Sequence, residues 1–321
     1  MNTLKKLKSI DAIYWFVAVF FIAALVFVPG FANLAALERL LSQGCVLIIL
    51  ACGVHLTVLN GGVDFTSTAL LALTTVVGGS IMSTKGPLGG SAGALILGLL
   101  VMVLLGLGFG IINGFSITTF KMPSFIVTMA TQMIVNGLAV VYTGGSSVTG
   151  MPSAFAKFGK GSIFIFPYLL IVAVGVALVM HIITTKTLFG RQLYAVGTNH
   201  KAALISGVSP RKTIFKAYVL SGVCAGIAGI VMLAYMQSGS VNYGATMFND
   251  IMGSIIVGGT SPAGGRGKIA NTVMGALLIN MIDSVLNILG IPYYFITLIK
   301  GLIILVAASI DLIRMDRKVA R

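Results

Sequence analysis

Side chains able to do chemistry are sparse in this sequence, and the most informative of them stand beside glycines. The first group is Asn60-Gly-Gly-Val-Asp64, between two apolar runs. Paired glycines interrupt a helix, since each costs about 1 kcal/mol relative to alanine in a helix interior. Asn60, Gly61, Gly62 and Asp64 are then one of two things. They are the polar wall of a water-filled path at membrane depth, or a plain turn in which Asp64 caps the next helix. The second group is Gly258-Gly-Thr-Ser-Pro-Ala-Gly-Gly-Arg-Gly267. It lacks the G-x-x-x-x-G-K-S/T spacing of a phosphate loop and follows no buried strand. Either it reverses the chain inside or at the edge of a helical bundle, with Gly258, Gly259 and Thr260 as path candidates, or it is an ordinary flexible loop.

The third group lies in a polar connection, 184–212. Its His200–Ile205 stretch favours a helix, with Asn199 as N-cap, Gly207 as C-terminal stop, and Ser209-Pro210 starting the next element. A short helix rich in small residues, lying along a membrane face, suits docking into a groove of a partner protein; a plain interfacial connector is the other reading. The docking candidates are Asn199, His200, Ala202, Ala203, Ser206, Gly207 and Pro210. Further polar residues inside apolar runs are Gln132, Asn136, Asn249, Asp250, Asp283, Asn287 and Lys300. Asn249 and Asp250 either face a path or cap their own segment, and Asp283 and Lys300 stand in adjacent helices where they can neutralise each other. Amides with few charges suit a neutral hydrogen-bonding solute, whereas ion pathways need chains of ionisable groups. No Walker motif, HExxH, CxxC or GxSxG occurs, so no catalytic residue and no metal site is expected. Cys45, Cys52 and Cys224 read as small packing residues, and His55, His181 and His200 as surface or packing residues.

The elements that must position these groups follow from composition. The chain has 321 residues, of which 57% are hydrophobic and only 9% charged, with a mean hydropathy of +1.05. A soluble domain carries about a quarter of its residues charged, so most of this surface faces lipid. A membrane helix needs about 20 apolar residues to cross about 30 Å of hydrocarbon. The apolar runs predict an all-α, polytopic membrane protein of about ten helices, near 13–28, 40–59, 65–83, 92–118, 123–142, 163–183, 213–236, 247–259, 269–289 and 294–313. The eighth is too short to span comfortably and reads as broken or re-entrant. The 40 glycines fit membrane helices, whose backbones approach closely at small residues. The whole chain, 1–321, is expected to form one transmembrane domain, with an uncleaved first span preceded by Lys5, Lys6 and Lys8.

The net charge of +14 follows the positive-inside rule, not nucleic-acid binding. With a cytoplasmic N-terminus, Lys121, Lys186, Arg191, Lys201, Arg211, Lys212, Lys216, Arg266, Lys268, Arg314, Arg317, Lys318 and Arg321 all fall inside. Only Arg39, Lys85, Lys157 and Lys160 fall outside, so both termini are expected in the cytoplasm. Residues 143–162 read as an outer loop with a short helix near Ala154–Phe158. The glycine-rich stretch from Thr84 echoes the one from Thr260, each leading into a long helix, the fourth and the ninth. This spacing gives the two units opposite orientation, the inverted-repeat character of many transporters.

The segments Leu56-Thr-Val-Leu-Asn-Gly-Gly-Val-Asp64, Ile112-Asn-Gly114, Met122-Pro-Ser-Phe-Ile-Val-Thr128, Gly137-Leu-Ala139 and Thr143-Gly-Gly145 carry a family resemblance. So do Phe189-Gly-Arg-Gln-Leu-Tyr-Ala-Val-Gly197, Ala202-Ala203, Ser206-Gly-Val208, Tyr218-Val-Leu-Ser-Gly222, Val257-Gly-Gly-Thr-Ser261, Gly264-Gly-Arg-Gly267 and Lys300-Gly-Leu-Ile-Ile304. In this order, from about Ala36 to Asp311, they resemble the ribose-type sugar permeases of ATP-binding-cassette importers. Two departures stand out: Gly-Gly-Val-Asp-Phe-Thr replaces Gly-Gly-Ile-Asp-Leu-Ser, and His200-Lys201 replaces an acidic residue.

The resemblance implies a non-catalytic membrane subunit in a bacterial inner membrane, carrying a monosaccharide such as ribose by alternating access. It also implies ATPase subunits that bind the ATP and magnesium, an extracytoplasmic solute-binding protein, and a second permease chain, identical or paralogous. The segment from Asn199 to Pro210 becomes the coupling helix. Nucleosides or branched-chain amino acids are the rival cargoes, and an ion-gradient-driven secondary transporter is the rival of another class.

Overall fold

Apolar segments of this length enter a bilayer only if the backbone satisfies its own hydrogen bonds, and the chain does so with helices. The computed structural model describes residues 11–86 and 88–319. Lys5, Lys6, Lys8 and Arg321 lie outside the described residues, as do the side chains of Arg314, Arg317 and Lys318. In chain order the helices are α1 (Ala12–Phe27), α2 (Leu34–Leu59), α3 (Thr66–Met82), α4 (Ala92–Thr119), α5 (Ser124–Thr143) and α6 (Ser153–Lys160). After a two-stranded hairpin (β1, Ser162–Ile163; β2, Phe166–Pro167) come α7 (Tyr168–Lys186), α8 (Leu188–Thr198), α9 (His200–Ile205), α10 (Pro210–Met236), α11 (Met247–Val257), α12 (Ile269–Ile288) and α13 (Tyr293–Val319). Six of them, α2, α4, α5, α7, α10 and α12, are long and apolar enough to cross a membrane; α1, α3, α11 and the described part of α13 are shorter apolar helices. The protein is a polytopic helical membrane protein.

The core forms around α2, in which every residue from Gly44 to Leu59 is buried. Helices α7, α10, α11 and α12 pack around it. In lipid, apolar side chains gain little by leaving the solvent, so association depends on close backbone approach. The α4–α10 contact shows this. Gly106, Gly110 and Gly114 recur every four residues on α4, and a Cβ added to any of them would press on the carbonyls of Gly222, Tyr218 or Phe215. Gly53 of α2 meets Ser221 and Cys224 of α10 in the same way, so Cys224 is a packing residue, as expected. Outward faces of α1, α4, α5, α7 and α13 expose Phe16, Leu100, Met133, Ile171 and Leu305 among others, the surface expected against acyl chains.

The predicted helix at 213–236 begins at Pro210, where Ser209 caps it and proline occupies the first turn. The sixth run begins not at 163 but at Tyr168, because the hairpin at 162–167 precedes it. Residues 188–198, read as connection, form α8; Gly190 and Gly197 hide it in the sequence. The eighth run is broken. The 11 residues of α11 rise about 16 Å, half a bilayer core. Before them, 237–246 is non-helical, and Gly239 and Gly244 lie against the backbone of Thr75 and Thr68 in α3.

The basic residues separate by end. One end, called basic here, gathers the α2–α3, α4–α5, α7–α10 and α11–α12 connections, through contacts such as Gly265 N–H to the Leu59 carbonyl and Arg211 to Thr119 Oγ1. Lys268 and Asn271 donate to Asp11 there at 2.7 and 3.0 Å, and these two bonds hold the Asp11 carboxyl below the usual carboxylate range. The glycine-rich echoes lie at opposite ends, one in the α3–α4 connection and one in the α11–α12 connection.

Gly222→Val drives a side chain into the Gly106 carbonyl and is expected to cost about 1–3 kcal/mol through overpacking. Gly137→Ala, where an added Cβ meets nothing within 4 Å, is expected to cause no loss of stability. Thermal unfolding in detergent reads both, and equal midpoints would refute the glycine contact.

Candidate functional site

A buried helix must find donors for its last carbonyls, and α2 finds them in glycine. Asn60 ends it, and Gly61 (φ +79°) turns left-handed. Gly62 N–H then donates to the Thr57 carbonyl and Gly61 N–H to that of Val58, each at 2.9 Å, the Schellman arrangement. The Leu59 carbonyl accepts from Gly265 N–H at 2.8 Å. Gly197, at the end of α8, packs against that same carbonyl and against Gly265 N, which leaves no room for a side chain. Tyr194 OH donates to the Gly267 carbonyl at 2.7 Å. Burial raises the Tyr194 pKa, which keeps its hydroxyl a donor. The three glycine groups of the sequence thus meet as one latch at the basic end. Its deeper side is fixed by His55, whose Nδ1 lies 2.8 Å from Thr272 Oγ1 and 3.2 Å from Thr260 Oγ1.

Beyond the latch the chain turns back into the bundle. Asp64 is 2% exposed and is held by donors: Ser221 Oγ at 2.6 Å and Thr66 N–H at 3.0 Å. Asn113 Nδ2 donates to Thr66 Oγ1 at 2.8 Å, which itself donates to the Thr128 carbonyl. The Val63 carbonyl accepts from Tyr218 OH at 3.1 Å, and Val63 N–H donates to Ser124 Oγ. This network joins α3, α4, α5 and α10 through members of the Asp64, Asn113, Ser124–Thr128 and Tyr218–Ser221 segments.

At the other end lies a polar cavity of about 240 Å³. Gln43, Tyr235, Asp250, Asn280, Asp283 and Lys300 contribute its polar wall, from α2, α10, α11, α12 and α13. Lys300 Nζ reaches Asp250 Oδ1 at 2.6 Å and Asp283 Oδ1 at 2.9 Å. A buried ammonium requires such partners, and the pair of carboxylates fixes α11, α12 and α13 relative to one another. Asn280 Nδ2 donates to the Leu40 carbonyl at 2.7 Å, tying α12 to α2. Hydroxyl, amide and paired charged groups facing one small space have the chemistry to hold a neutral, hydrogen-bonding molecule.

Residues 36–308 match the family described as "Branched-chain amino acid transport system / permease component". The chain belongs to this permease family. It is 33% identical to the ribose import permease of Bacillus subtilis over 286 residues, covering 88% of this chain and 86% of that one. The D-allose transport system permease of Escherichia coli is 30% identical, over 86% of this chain and 82% of its own. The galactose/methyl galactoside import permease of Haemophilus influenzae is 28% identical, over 99% and 100%. No solved structure matches the chain. As a member of this family the protein is a transport subunit and not an enzyme. Permeases of this kind work with an ATPase and a solute-binding protein, and carry no cofactor themselves.

Of the path candidates named from the sequence, Asp250 lines the permease's cavity. Asn60, Gly61, Gly62, Gly258 and Thr260 belong to the latch and its flank, and Asp64 to the buried network. Gly259, at φ +81°, closes α11. Gln132 donates to Thr68 at 3.2 Å, while Asn136 and Asn249 are exposed. The pairing of Asp283 with Lys300 is present and includes Asp250 as well. Gln43 and Asn280 were missed, although each is an amide inside an apolar run, as Asn287 is. In the docking segment, Asn199 Oδ1 accepts from Ala202 N–H and Gly207 (φ +80°) ends α9. Ala203 is buried, His200 and Ser206 are exposed, and Pro210 opens α10.

Lys300→Met strands two carboxylates beside each other and is expected to destabilise the permease by about 3–5 kcal/mol. The triple variant Asp250→Asn, Asp283→Asn, Lys300→Met is expected to recover most of that loss. Thermal unfolding of the purified protein measures both; a triple variant as unstable as Lys300→Met refutes the charge-pairing account.

Proposed function

We propose that this permease is the conduit of an ATP-driven importer for a monosaccharide, with its basic end and both termini in the cytoplasm. The supporting observation is the cavity, whose amides, tyrosines and mutually paired charges suit a polyhydroxylated neutral solute. The printed names of the relatives, permeases for ribose, D-allose and galactose, agree with that chemistry. The basic residues supply the orientation. Lys121, Lys186, Arg191, Lys201, Arg211, Lys212, Lys216, Arg266 and Lys268 fall at one end, and Arg39, Lys85, Lys157 and Lys160 at the other.

The complete transporter pairs this chain with a second permease, identical or paralogous, with ten spans in each. Two cytoplasmic ATPases bind ATP and magnesium, and a solute-binding protein delivers cargo at the cavity end. Asn199 to Pro210 is the coupling segment. Leu204 and Ile205 at the tip of α9 are exposed, Ile205 at 88%, and fit a groove on the ATPase. Movement of α9 passes to α8, then through Gly197 to the Leu59 carbonyl and Gly265. Helices α2 and α11 begin at the cavity, with Gln43 and Asp250, and end at the latch. They carry the displacement to the solute, so ATP binding opens one side at a time.

A branched-chain amino acid is the second reading, favoured by the family description. A zwitterion needs a cation for its carboxylate, and in the cavity wall Lys300 is already engaged by two aspartates.

Solute-stimulated ATP hydrolysis of the reconstituted complex, with its binding protein, tests the cargo against ribose, allose, galactose, leucine and adenosine. Stimulation by a monosaccharide is expected, and stimulation by leucine alone overturns the reading. Vesicles with the permease alone are expected to accumulate nothing; accumulation driven by an ion gradient would show a secondary transporter. Ile205→Asp is expected to lower uptake at least tenfold while leaving folding intact, because a charge then enters an apolar docking groove at a cost of at least about 1.4 kcal/mol. Ile205→Cys and Phe164→Cys are expected to react with an impermeant thiol reagent from opposite sides, the native cysteines being buried.

A further inference from the structure

A second cavity, of about 340 Å³, opens at the basic end between the last turn of α4 and the first turns of α10. Its lining is Phe115, Thr118 and Thr119 from α4, and Ser209, Arg211, Lys212, Phe215 and Lys216 from the start of α10. Three cations face this groove and no carboxylate lines it. Arg211 Nη2 donates to Thr119 Oγ1 at 2.9 Å, which props its guanidinium over the groove. Lys212 and Lys216, both exposed, form no ion pair among the described residues. The groove is also continuous with the lipid-facing side of α4. Leu100, Leu104, Ile111 and Phe115 are all exposed and follow at helical spacing along one face, leading down into it. A coupling surface for a soluble partner has no use for an apolar track running up the bilayer side of a helix; a lipid has.

We infer that this groove is a binding site for one anionic phospholipid of the adjoining leaflet. Its phosphodiester sits among Arg211, Lys212 and Lys216, and an acyl chain lies along Phe115, Ile111 and Leu104. Basic pockets between membrane helices bind anionic headgroups in this way, and guanidinium and ammonium groups both donate to phosphate oxygens. The site tethers the start of α10 to the membrane surface. Because α9 joins α10 through only four residues, 206–209, the lipid holds the base against which the α9 segment moves.

The test uses native mass spectrometry of the purified full-length permease, exchanged into phosphatidylglycerol or phosphatidylcholine micelles. The wild type is expected to retain one phosphatidylglycerol and no phosphatidylcholine. The variant Arg211→Gln, Lys212→Gln, Lys216→Gln is expected to weaken retention about a hundredfold, about fivefold for each cation. Lys157→Gln, Lys160→Gln, at the opposite end, is expected to retain the lipid. Loss of three charges also threatens insertion, so Thr118→Phe, which fills the groove and keeps every charge, provides an independent arm and is expected to lose the lipid too. Retention by both groove variants overturns the inference. Displacement of the lipid by millimolar inorganic phosphate overturns it in favour of a free-anion site. Loss of the lipid on adding the ATPase subunit overturns it in favour of a protein contact.

Discussion

The carbonyl of Leu59 is the point on which the rest of this structure turns. A helix buried from Gly44 to Leu59 ends inside the protein, where an unsatisfied carbonyl costs several kcal/mol. Its penultimate carbonyls are met locally, by Gly61 and Gly62. The last is met by Gly265, more than two hundred residues away. That bond requires two backbones to touch, and a third, at Gly197, closes over them. Side chains at these positions would force the three strands of chain apart. The glycines therefore do more than permit flexibility: they let the end of the central helix, the second break and helix α8 share one contact.

From that contact the architecture divides into two units. One is α2, α4 and α10, joined by glycines whose Cα atoms meet opposing carbonyls and by the Asp64 network, which adds hydrogen bonds to α3 and α5. Against it stands the unit of α11, α12 and α13. It meets α2 through His55, Thr260 and Thr272 near the latch and through Asn280 and the Leu40 carbonyl near the cavity. The backbone bond from Gly265 to Leu59 joins the two units as well, and two discrete arrangements of such polar contacts are what a switching interface needs. The Asp250–Lys300–Asp283 group holds the second unit together.

The helices were legible in the sequence because a bilayer demands long apolar runs, and so were the ends of α9 and the start of α10, because Asn199, Gly207 and Ser209 have local signatures. Helix α8 was not, since Gly190 and Gly197 read as breakers when their actual task is contact with neighbouring carbonyls. The Asp64 motif was recognised as important, but its type alone left a path and a cap as alternatives. Only the partners, Ser221 and Thr66, distinguish a packed, hydrogen-bonded carboxylate from one facing water. The cavity was the least visible feature. Gln43, Asn280 and Lys300 come from three helices, and nothing in linear order announces that they face one space.

These misreadings share a cause that also explains how such a protein works. In a bilayer the hydrophobic effect does not select which helix faces contact one another, so the selection passes to backbone approach and to a few polar groups. Hydrophobic periodicity reads neither: a glycine has no side chain to pattern, and amides scattered through an apolar run do not mark which of them share one space. The same two kinds of interaction are the ones that can be broken and remade without moving a large apolar surface into water. A fold specified by them has its assembly code and its movable contacts written in the same residues. Hence the latch at Leu59, Gly197 and Gly265, built from backbone contacts, joins the central helix to α8 and to the second break.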